Sequence, residues 1–243
     1  MSRRTRRRGR RWLLAALLVL PALLVVSVLP VLLLRVVAPP TTVYMQVAGG
    51  GQHEWVALES ISPWLVLAVI AAEDQRFVQH RGFDLIELRE AVYARLRGER
   101  LRGASTITQQ TAKNLFLWPG RSWLRKLIEA WYALWLELLL PKSRIMELYL
   151  NIAQFGPAVF GAEAAAQAHF GLSATELDAE QAAWLAAVLP TPSLSRIDRP
   201  SASLTRRQAW IRRQMAALGL QHAAPLLHQP DAAAHAGPPR QPA

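Results

Sequence analysis

The hydrophobic residues of this chain form one long run near the N-terminus and, after it, shorter segments in which apolar positions recur with helical spacing. The run covers residues 12–34 and contains no charged side chain. About 20 consecutive apolar residues are enough to span a bilayer as a helix, and such helices tolerate prolines. We therefore predict a transmembrane helix within residues 12–37. A cleaved signal peptide is the alternative, although its apolar core would be shorter, about 7–15 residues.

Downstream of this run, capping residues, prolines and glycines mark where successive amphipathic or apolar helices begin and end. Strand signals are scarce, and no repeat with a fixed period is present. We predict helices over residues 64–72, 85–96, from a cap at 105 or 106 through 116, from a cap at 122 to a stop at 141, and over 145–153, 161–170, 178–189 and 204–218.

The apolar run, the prolines and glycines, and the change in composition divide the chain into five predicted parts. Residues 1–11 form a basic arm ahead of the transmembrane segment at 12–37. Prolines and three consecutive glycines in residues 38–55 predict a linker. Residues 56–220 predict one mainly helical domain. Residues 221–243, rich in Ala, Pro, His and Gln, predict a disordered tail.

The net charge of +11 is concentrated at the N-terminus, because seven arginines lie within residues 1–11 without an acidic neighbour. Arginines beside a membrane helix stay on the cytoplasmic side, so the domain is predicted to lie outside the cytoplasmic membrane. This topology signal accounts for the arm without nucleic acid as a partner. The chain has no cysteine, which excludes disulfides, thiolate metal sites and cysteine nucleophiles.

The first candidate site follows the most apolar helix of the domain. Glu73 and Asp74 come directly after residues 64–72, and His80 and Asp84 follow within eleven residues. A carboxylate at the edge of the core is partly desolvated, which raises its pKa and suits a general base or acid. A solvated acidic pair at a helix end is the alternative from local pattern alone, and His80 is interpreted as structural.

A second polar cluster opens the helix that ends at residue 116. Ser105 and Thr106 place free backbone N–H groups at the helix start, where an anion can bind. Gln109 and Lys113 are four residues apart and share a helix face. Such a face suits sugar hydroxyls and phosphate, while an ordinary capped amphipathic helix remains the alternative.

A third cluster holds three cations and one acid within nine residues at the start of the next helix. Arg121, Arg125 and Lys126 lie where the helix dipole disfavours positive charge, which argues for a bound anion such as a diphosphate. Arg125 and Glu129 could equally form an ordinary i,i+4 ion pair.

A fourth polar segment, residues 142–151, is sufficiently explained as an amphipathic helix. The histidines lack metal-ligand spacing on a shared face, and no metal site is predicted. There is no Ser-x-x-Lys or Lys-Thr-Gly motif, so transpeptidase chemistry has no visible site. No glycine-rich phosphate loop is present either.

Taken together, the four clusters resemble the family 51 glycosyltransferases, in their monofunctional peptidoglycan-synthesising branch, over about residues 40–220. The resemblance is carried by the order and spacing of Glu73, Asp74, Phe77, His80, Gly82 and Asp84, then Gly103, Ser105 to Gln110, Lys113 and Asn114, then Arg125, Lys126 and Glu129, then Lys142, Glu147, Tyr149, Leu150 and Asn151. His169 departs from the tyrosine common at that position.

The resemblance implies a lysozyme-like, mostly helical fold with a small membrane-proximal subdomain. It implies that Glu73 is the general base and Glu129 the second carboxylate, near the leaving diphosphate. Lys113 and Arg121 correspond to positions that stabilise the diphosphate. The remaining residues expected to line the site are Ser105, Gln110, Arg125 and Lys126.

The implied reaction is polymerisation of lipid II into β-1,4 glycan strands, with inversion and release of undecaprenyl diphosphate. The expected partners are lipid II, the growing lipid-linked strand, the membrane and other wall-synthesis or division proteins. No cofactor is required, although Mg²⁺ or Mn²⁺ at the diphosphate is left open. A lytic, lysozyme-like enzyme and a non-catalytic scaffold for wall synthesis are the alternative functions.

Overall fold

The computed structural model describes residues 19, 21–22, 24–98, 105–120 and 122–227, and the fold given below refers to these residues. Most of them are helical, which confirms the predicted mainly helical class. Residues 24–33 belong to helix α1. The helices that follow are α2 (Val43–Val47), α3 (Pro63–Glu73), α4 (Leu85–Leu96), α5 (Ile107–Phe116), α6 (Trp123–Leu139), α7 (Lys142–Ile152), α8 (Ala162–Phe170), α9 (Ala179–Val188), α10 (Ala202–Leu218) and α11 (Ala224–Leu227).

Helix α3 is buried in the domain, as its uniformly apolar sequence predicts. Ser62 caps it by accepting a hydrogen bond from the backbone N–H of Trp64, and Pro63 occupies the first turn, where its missing N–H costs nothing. Residues 65–71 are at most 1% exposed. Helices α9 and α10 pack against α3, and its C-terminal end carries Glu73.

Helix α5 packs against both α6 and α7, and its start is fixed by a reciprocal cap. The Thr106 hydroxyl oxygen accepts from the backbone N–H of Gln109, whose side chain accepts from the backbone N–H of Thr106. The same hydroxyl donates to the carbonyl oxygen of Gly82 at 2.6 Å. The start of α5 is therefore tied to the loop that follows α3.

A small sheet of three short strands lies beside the helices. The strands are β1 (Gln52–His53), β2 (Gln154–Gly156) and β3 (Val159–Phe160). Strand β3 is central, pairing in parallel with β1 and antiparallel with β2. The side chain of Asn151 anchors the chain after β1, because its Oδ1 accepts from the backbone N–H of Val56 at 2.9 Å.

Two segments are more ordered than predicted. The predicted linker, 38–55, contains α2 and β1, because Thr42 caps α2 and Met45 is only 4% exposed against the core. Residues 221–227 of the predicted disordered tail also pack on the domain. There Leu226 is 2% exposed, and His222 Nε2 lies 2.9 Å from the carbonyl oxygen of Gln75.

Most helix boundaries agree with the prediction, but α7 and α10 begin earlier than expected. Helix α7 starts at Lys142 because the carbonyl oxygen of Pro141 accepts from the backbone N–H of Ile145, so the proline begins this helix as well as ending α6. Helix α10 starts at Ala202 because Ser201 supplies a side-chain cap that the prediction missed.

The predicted transmembrane helix is described only in its second half. Residues 1–18, 20 and 23 lie outside the described residues, as do 228–243. Within the described part of the chain, no helix combines the length and hydrophobicity needed to cross a membrane. The segment after α1 is held against α7, because Arg144 donates from Nε to the carbonyl oxygen of Leu34 at 2.8 Å and from Nη2 to that of Val37 at 3.0 Å.

Candidate active site

Glu73 stands at the C-terminal end of α3, where the buried helix reaches the edge of the core. Its side chain is only 14% exposed. Oε1 accepts a hydrogen bond from Nη2 of Arg207 on α10 at 2.9 Å, and Oε2 accepts from Nε2 of Gln110 on α5 at 2.8 Å. Glu73 is thus a mostly buried, oriented carboxylate rather than one of two solvated acids.

The environment of Glu73 changes its acidity. Burial raises the pKa of its carboxyl group above the ordinary value, while the Gln110 hydrogen bond and the charges of Arg207 and Lys113 oppose the rise. A carboxylate with a raised pKa binds a proton more readily at neutral pH, as a general base requires. The Gln110 and Arg207 contacts leave further acceptor capacity, since each carboxylate oxygen has two lone pairs.

Asp74 bonds to partners other than those of Glu73. Its Oδ1 lies 2.9 Å from Nε2 of His80, and its Oδ2 accepts from the backbone N–H of Ile107 at 3.0 Å. These bonds hold the end of α3 against the start of α5. They agree with the interpretation of His80 as structural.

A cationic cluster forms around Glu129, which is 3% exposed on α6. One carboxylate oxygen lies 3.4 Å from Nη1 of Arg125, and the other accepts from Nζ of Lys126. Lys126 Nζ also lies 3.3 Å from the hydroxyl oxygen of Ser105, before α5. The hydroxyl group before α5 therefore lies beside the cations in the first turns of α6.

The ammonium group of Lys113 on α5 interacts electrostatically with both Glu73 and Glu129. Burial lowers the pKa of its ammonium group, the charges of Glu129 and Glu73 raise it, and those of Arg125 and Lys126 lower it further. Its Nζ is also 5.8 Å from the ring centre of Tyr44 on α2. Lys113 is thus a partly desolvated cation shared by both ends of the site.

A cavity of about 700 Å³ opens beside Glu73, on the side of α10. Its wall is built from the end of α3, the starts of α4 and α5, and one face of α10. The lining includes Gln75, Glu87, Ser105, Arg206, Trp210 and Gln214. A chamber of this size and mixed polarity can hold a sugar-sized group next to the carboxylate.

Comparison with known proteins identifies the family. The family model described as "Transglycosylase" matches residues 41–216, which include every helix from α2 to α9 and most of α10. The chain belongs to the transglycosylase family. The prediction of a glycosyl-transferring enzyme from the four clusters is thereby confirmed.

Its relatives include several proteins named biosynthetic peptidoglycan transglycosylase. One from Aeromonas hydrophila is 56% identical over 168 residues, covering 69% of this chain and 72% of the relative. One from Xanthomonas campestris pv. campestris is 48% identical over 224 residues, covering 89% and 91%. One from Shigella boydii is 56% identical over 167 residues, covering 68% and 69%.

Seven of the eight predicted site residues lie in two adjoining groups. Glu73, Gln110 and Lys113 form the group at the end of α3, while the group at the start of α6 consists of Ser105, Arg125, Lys126 and Glu129. Arg121 lies outside the described residues. These placements establish proximity, and the catalytic roles remain predictions.

Sequence reasoning missed two residues that hold the carboxylate in place. Arg207 bonds Glu73 directly, and Tyr149 donates to Gln110 at 3.2 Å. Arg207 lies in a helix with several arginines, and nothing local distinguishes it from Arg206 or Arg213. Tyr149 belongs to the family motif, but its local pattern predicts only a buried position on an amphipathic helix.

Cationic side chains lie beside two of the carboxylates that could hold a divalent cation, Glu129 and Asp84. Both oxygens of Glu129 are occupied by cationic side chains. In the described part of the chain, the one group of three nearby ligand residues is Asp74, His80 and Asp84. In that group Asp74 Oδ1 lies 2.9 Å from Nε2 of His80, and Asp84 Oδ2 lies 3.2 Å from Nε of Arg76, whose positive charge opposes a bound cation.

Proposed function

We propose that this chain is a membrane-anchored peptidoglycan glycosyltransferase that polymerises lipid II into β-1,4-linked glycan strands. The observation that carries the proposal is a mostly buried, oriented carboxylate, Glu73, adjoining a set of cations on α5 and α6. Relatives that are 48–56% identical and are named biosynthetic peptidoglycan transglycosylases support the substrate class.

In the proposed reaction, Glu73 takes the proton from the 4-hydroxyl group of the acceptor GlcNAc. The hydroxyl oxygen then bonds to C1 of the MurNAc at the lipid-linked end of the growing strand. The bond from C1 to undecaprenyl diphosphate breaks, and the α-linkage is replaced by a β-linkage with inversion. Gln110 and Arg207 keep the carboxylate of Glu73 in one orientation while it receives the proton.

The cations suit the leaving group. Lys113, Arg125 and Lys126, when protonated, carry three positive charges against the single negative charge of Glu129. The cluster therefore keeps a positive excess, which stabilises the negative charge that develops on a departing diphosphate. We assign Glu129 the role of holding Arg125 and Lys126 in place, and Arg121 the role of a further diphosphate contact.

We propose polymerisation without a resident divalent cation, because both carboxylate oxygens of Glu129 are paired with cationic side chains. If Mg²⁺ or Mn²⁺ does enter with the substrate, it would be held largely by the diphosphate, with Glu129 as the nearest carboxylate of the cluster. The cations of α5 and α6 supply the electrostatic part that a metal would otherwise supply.

The proposal includes a lysozyme-like domain whose membrane-proximal part is formed by α4 and α6. No residue of α4 is buried, and its exposed side chains include Leu88, Val92 and Leu96. Along α6 an exposed apolar stripe has spacings of three and four residues, at 124, 127, 131, 134 and 138. Apolar surface of this extent marks an interaction site. A lipid surface suits it, because the substrate is lipid-linked and the N-terminal run predicts an anchor.

Fluorescence quenching can test this orientation in the full chain reconstituted into phosphatidylethanolamine and phosphatidylglycerol vesicles with brominated acyl chains. Trp123, which is 89% exposed at the start of α6, is expected to be quenched, so Trp123→Phe lowers the total quenching. The control, Trp184→Phe, removes a half-buried tryptophan that packs against the core. Equal loss of quenching in the two variants would contradict membrane contact by α6.

The function itself is tested with labelled lipid II and the purified full chain in detergent, with and without EDTA. We expect a ladder of strands that lysozyme digests, in both conditions, together with released undecaprenyl diphosphate. Products that form only after a divalent cation is restored would overturn the metal-independent form of the proposal. No strands in any condition would favour the scaffold alternative.

A further inference from the structure

Tyr149 is a buried residue of α7 that reaches the proposed active site without touching the cavity. Its side chain is among the largest fully buried in the core, at 1% exposure. Its hydroxyl group donates to Oε1 of Gln110 at 3.2 Å. This hydrogen bond connects α7 to Gln110, which in turn donates to Glu73.

Gln110 lies between Tyr149 and Glu73 and presents a different end to each. Its Oε1 accepts from Tyr149, and its Nε2 donates to Oε2 of Glu73 at 2.8 Å. A carboxamide has one accepting end and one donating end. A donor on the Tyr149 side therefore selects the orientation in which the donating end faces the carboxylate.

We propose that Tyr149 is a positioning residue for the reaction, whose hydroxyl group orients Gln110 so that Gln110 donates to the ionised base Glu73. The inference rests on the proposed function, in which Glu73 acts as the base. Without the hydroxyl, the amide of Gln110 is free to turn its oxygen toward the carboxylate. Two oxygens facing each other disfavour the ionised form of Glu73.

Tyr149 is suited to act as a constant donor. Burial, and secondarily the nearby charge of Glu73, raises the pKa of its hydroxyl group well above the ordinary range for tyrosine. The hydroxyl therefore keeps its proton over the whole working pH range. While Glu73 is ionised, its acceptor-only carboxylate and the hydrogen bond donated by Tyr149 favour the same orientation of Gln110.

The other charged groups that face Glu73 would be unchanged by a substitution at Tyr149. They are Asp74 beside it in the chain, Lys113 on α5 and Arg207 on α10. Arg207 and Lys113 lower the pKa of Glu73, and Asp74 raises it. A change in the pKa of Glu73 on removing the Tyr149 hydroxyl therefore reports on Gln110.

The test is the pH dependence of kcat/KM for lipid II polymerisation by the full chain carrying Tyr149→Phe. We expect the acidic limb of the pH profile of kcat/KM to shift to higher pH by about 0.5–1 unit. The reason is that a weakened hydrogen bond to a carboxylate changes the pKa of that carboxylate by this order. The matched control is Tyr132→Phe, at a tyrosine of α6 whose ring stacks on Phe116 at 4.1 Å between centroids. Its acidic limb should coincide with that of the wild type.

A second pair of variants separates orientation from general packing. In a Gln110→Ala background, adding Tyr149→Phe should leave the acidic limb where Gln110→Ala alone places it. The inference is overturned if Tyr149→Phe changes only the rate or the melting temperature, or if its pH shift persists without Gln110. Failure of the proposed function is a separate result, in which Glu73→Gln polymerises lipid II as the wild type does.

Discussion

Replacing Glu73 with Gln is expected to lower kcat/KM for lipid II polymerisation by about 10²–10⁴-fold, the range that a general base contributes. The amide keeps the shape of the side chain and can still bond with Gln110, but it cannot accept the acceptor's proton. In the wild-type chain, kcat/KM should fall as the pH drops through the pKa of Glu73, which burial places above the ordinary 4.5.

Protein stability distinguishes lost chemistry from lost folding. Because the folded-state pKa of Glu73 is raised, its ionised form costs the folded state free energy at neutral pH, and this cost disappears below the unfolded-state pKa. Glu73→Gln should therefore melt at the same temperature as the wild type or higher. The control Glu180→Gln alters an exposed carboxylate on α9 and should retain full activity. A Glu73→Gln protein with wild-type turnover would exclude Glu73 as the base.

Replacing Lys113 with Met is expected to lower kcat by about 10²–10³-fold, comparable to removing one preorganised electrostatic contact from a transition state. Lys113 interacts electrostatically with both Glu73 and Glu129, so its loss removes positive charge where the diphosphate departs. The measurement is steady-state polymerisation together with the rate of undecaprenyl diphosphate release.

The charge control for this variant is Arg212→Met, which removes a cation that is 52% exposed on the outer face of α10. The wild-type chain should also lose activity at high pH as Lys113 loses its proton, at a pH below the ordinary 10.5 of a lysine because burial lowers its pKa. An unchanged kcat in Lys113→Met would remove this residue from the leaving-group site.

Local signals in the sequence were sufficient for most helices. Ser62 and Pro63 mark the start of α3, Asp84 caps α4, and Ser122 caps α6, each through a side-chain or first-turn effect confined to a few residues. The uniform apolarity of α3 also correctly predicted a buried helix. Each of these signals involves residues that are close together in the sequence, so it can be recognised without knowledge of the fold.

Features created by distant contacts were missed. Helix α2 is only five residues long and is stabilised by its packing on α5, so the prolines and glycines around it predicted a linker instead. Leu226 forms part of the core only because the end of α10 returns the chain toward α7. Neither contact has a local pattern that would reveal it.

In the candidate site, too, positions set by nearby residues could be predicted, whereas contacts between distant residues could not. The pair Glu73 and Asp74 could be placed at the edge of the core from the helix before it. That Glu73 faces Gln110 while Asp74 faces His80 depends on how α5 and the following loop pack. Arg207 comes from 134 residues further along the chain, and only the folded structure brings it to Glu73.

Transfer of glycan from a lipid diphosphate can be distinguished from glycan cleavage by giving the wild-type chain two substrates in parallel, labelled lipid II and purified uncrosslinked glycan strands. We expect that lipid II is consumed, that strands grow and undecaprenyl diphosphate is released, and that the preformed glycan gains no new ends. Cleavage of the preformed strands with lipid II left intact would contradict this expectation and would identify a lytic enzyme instead.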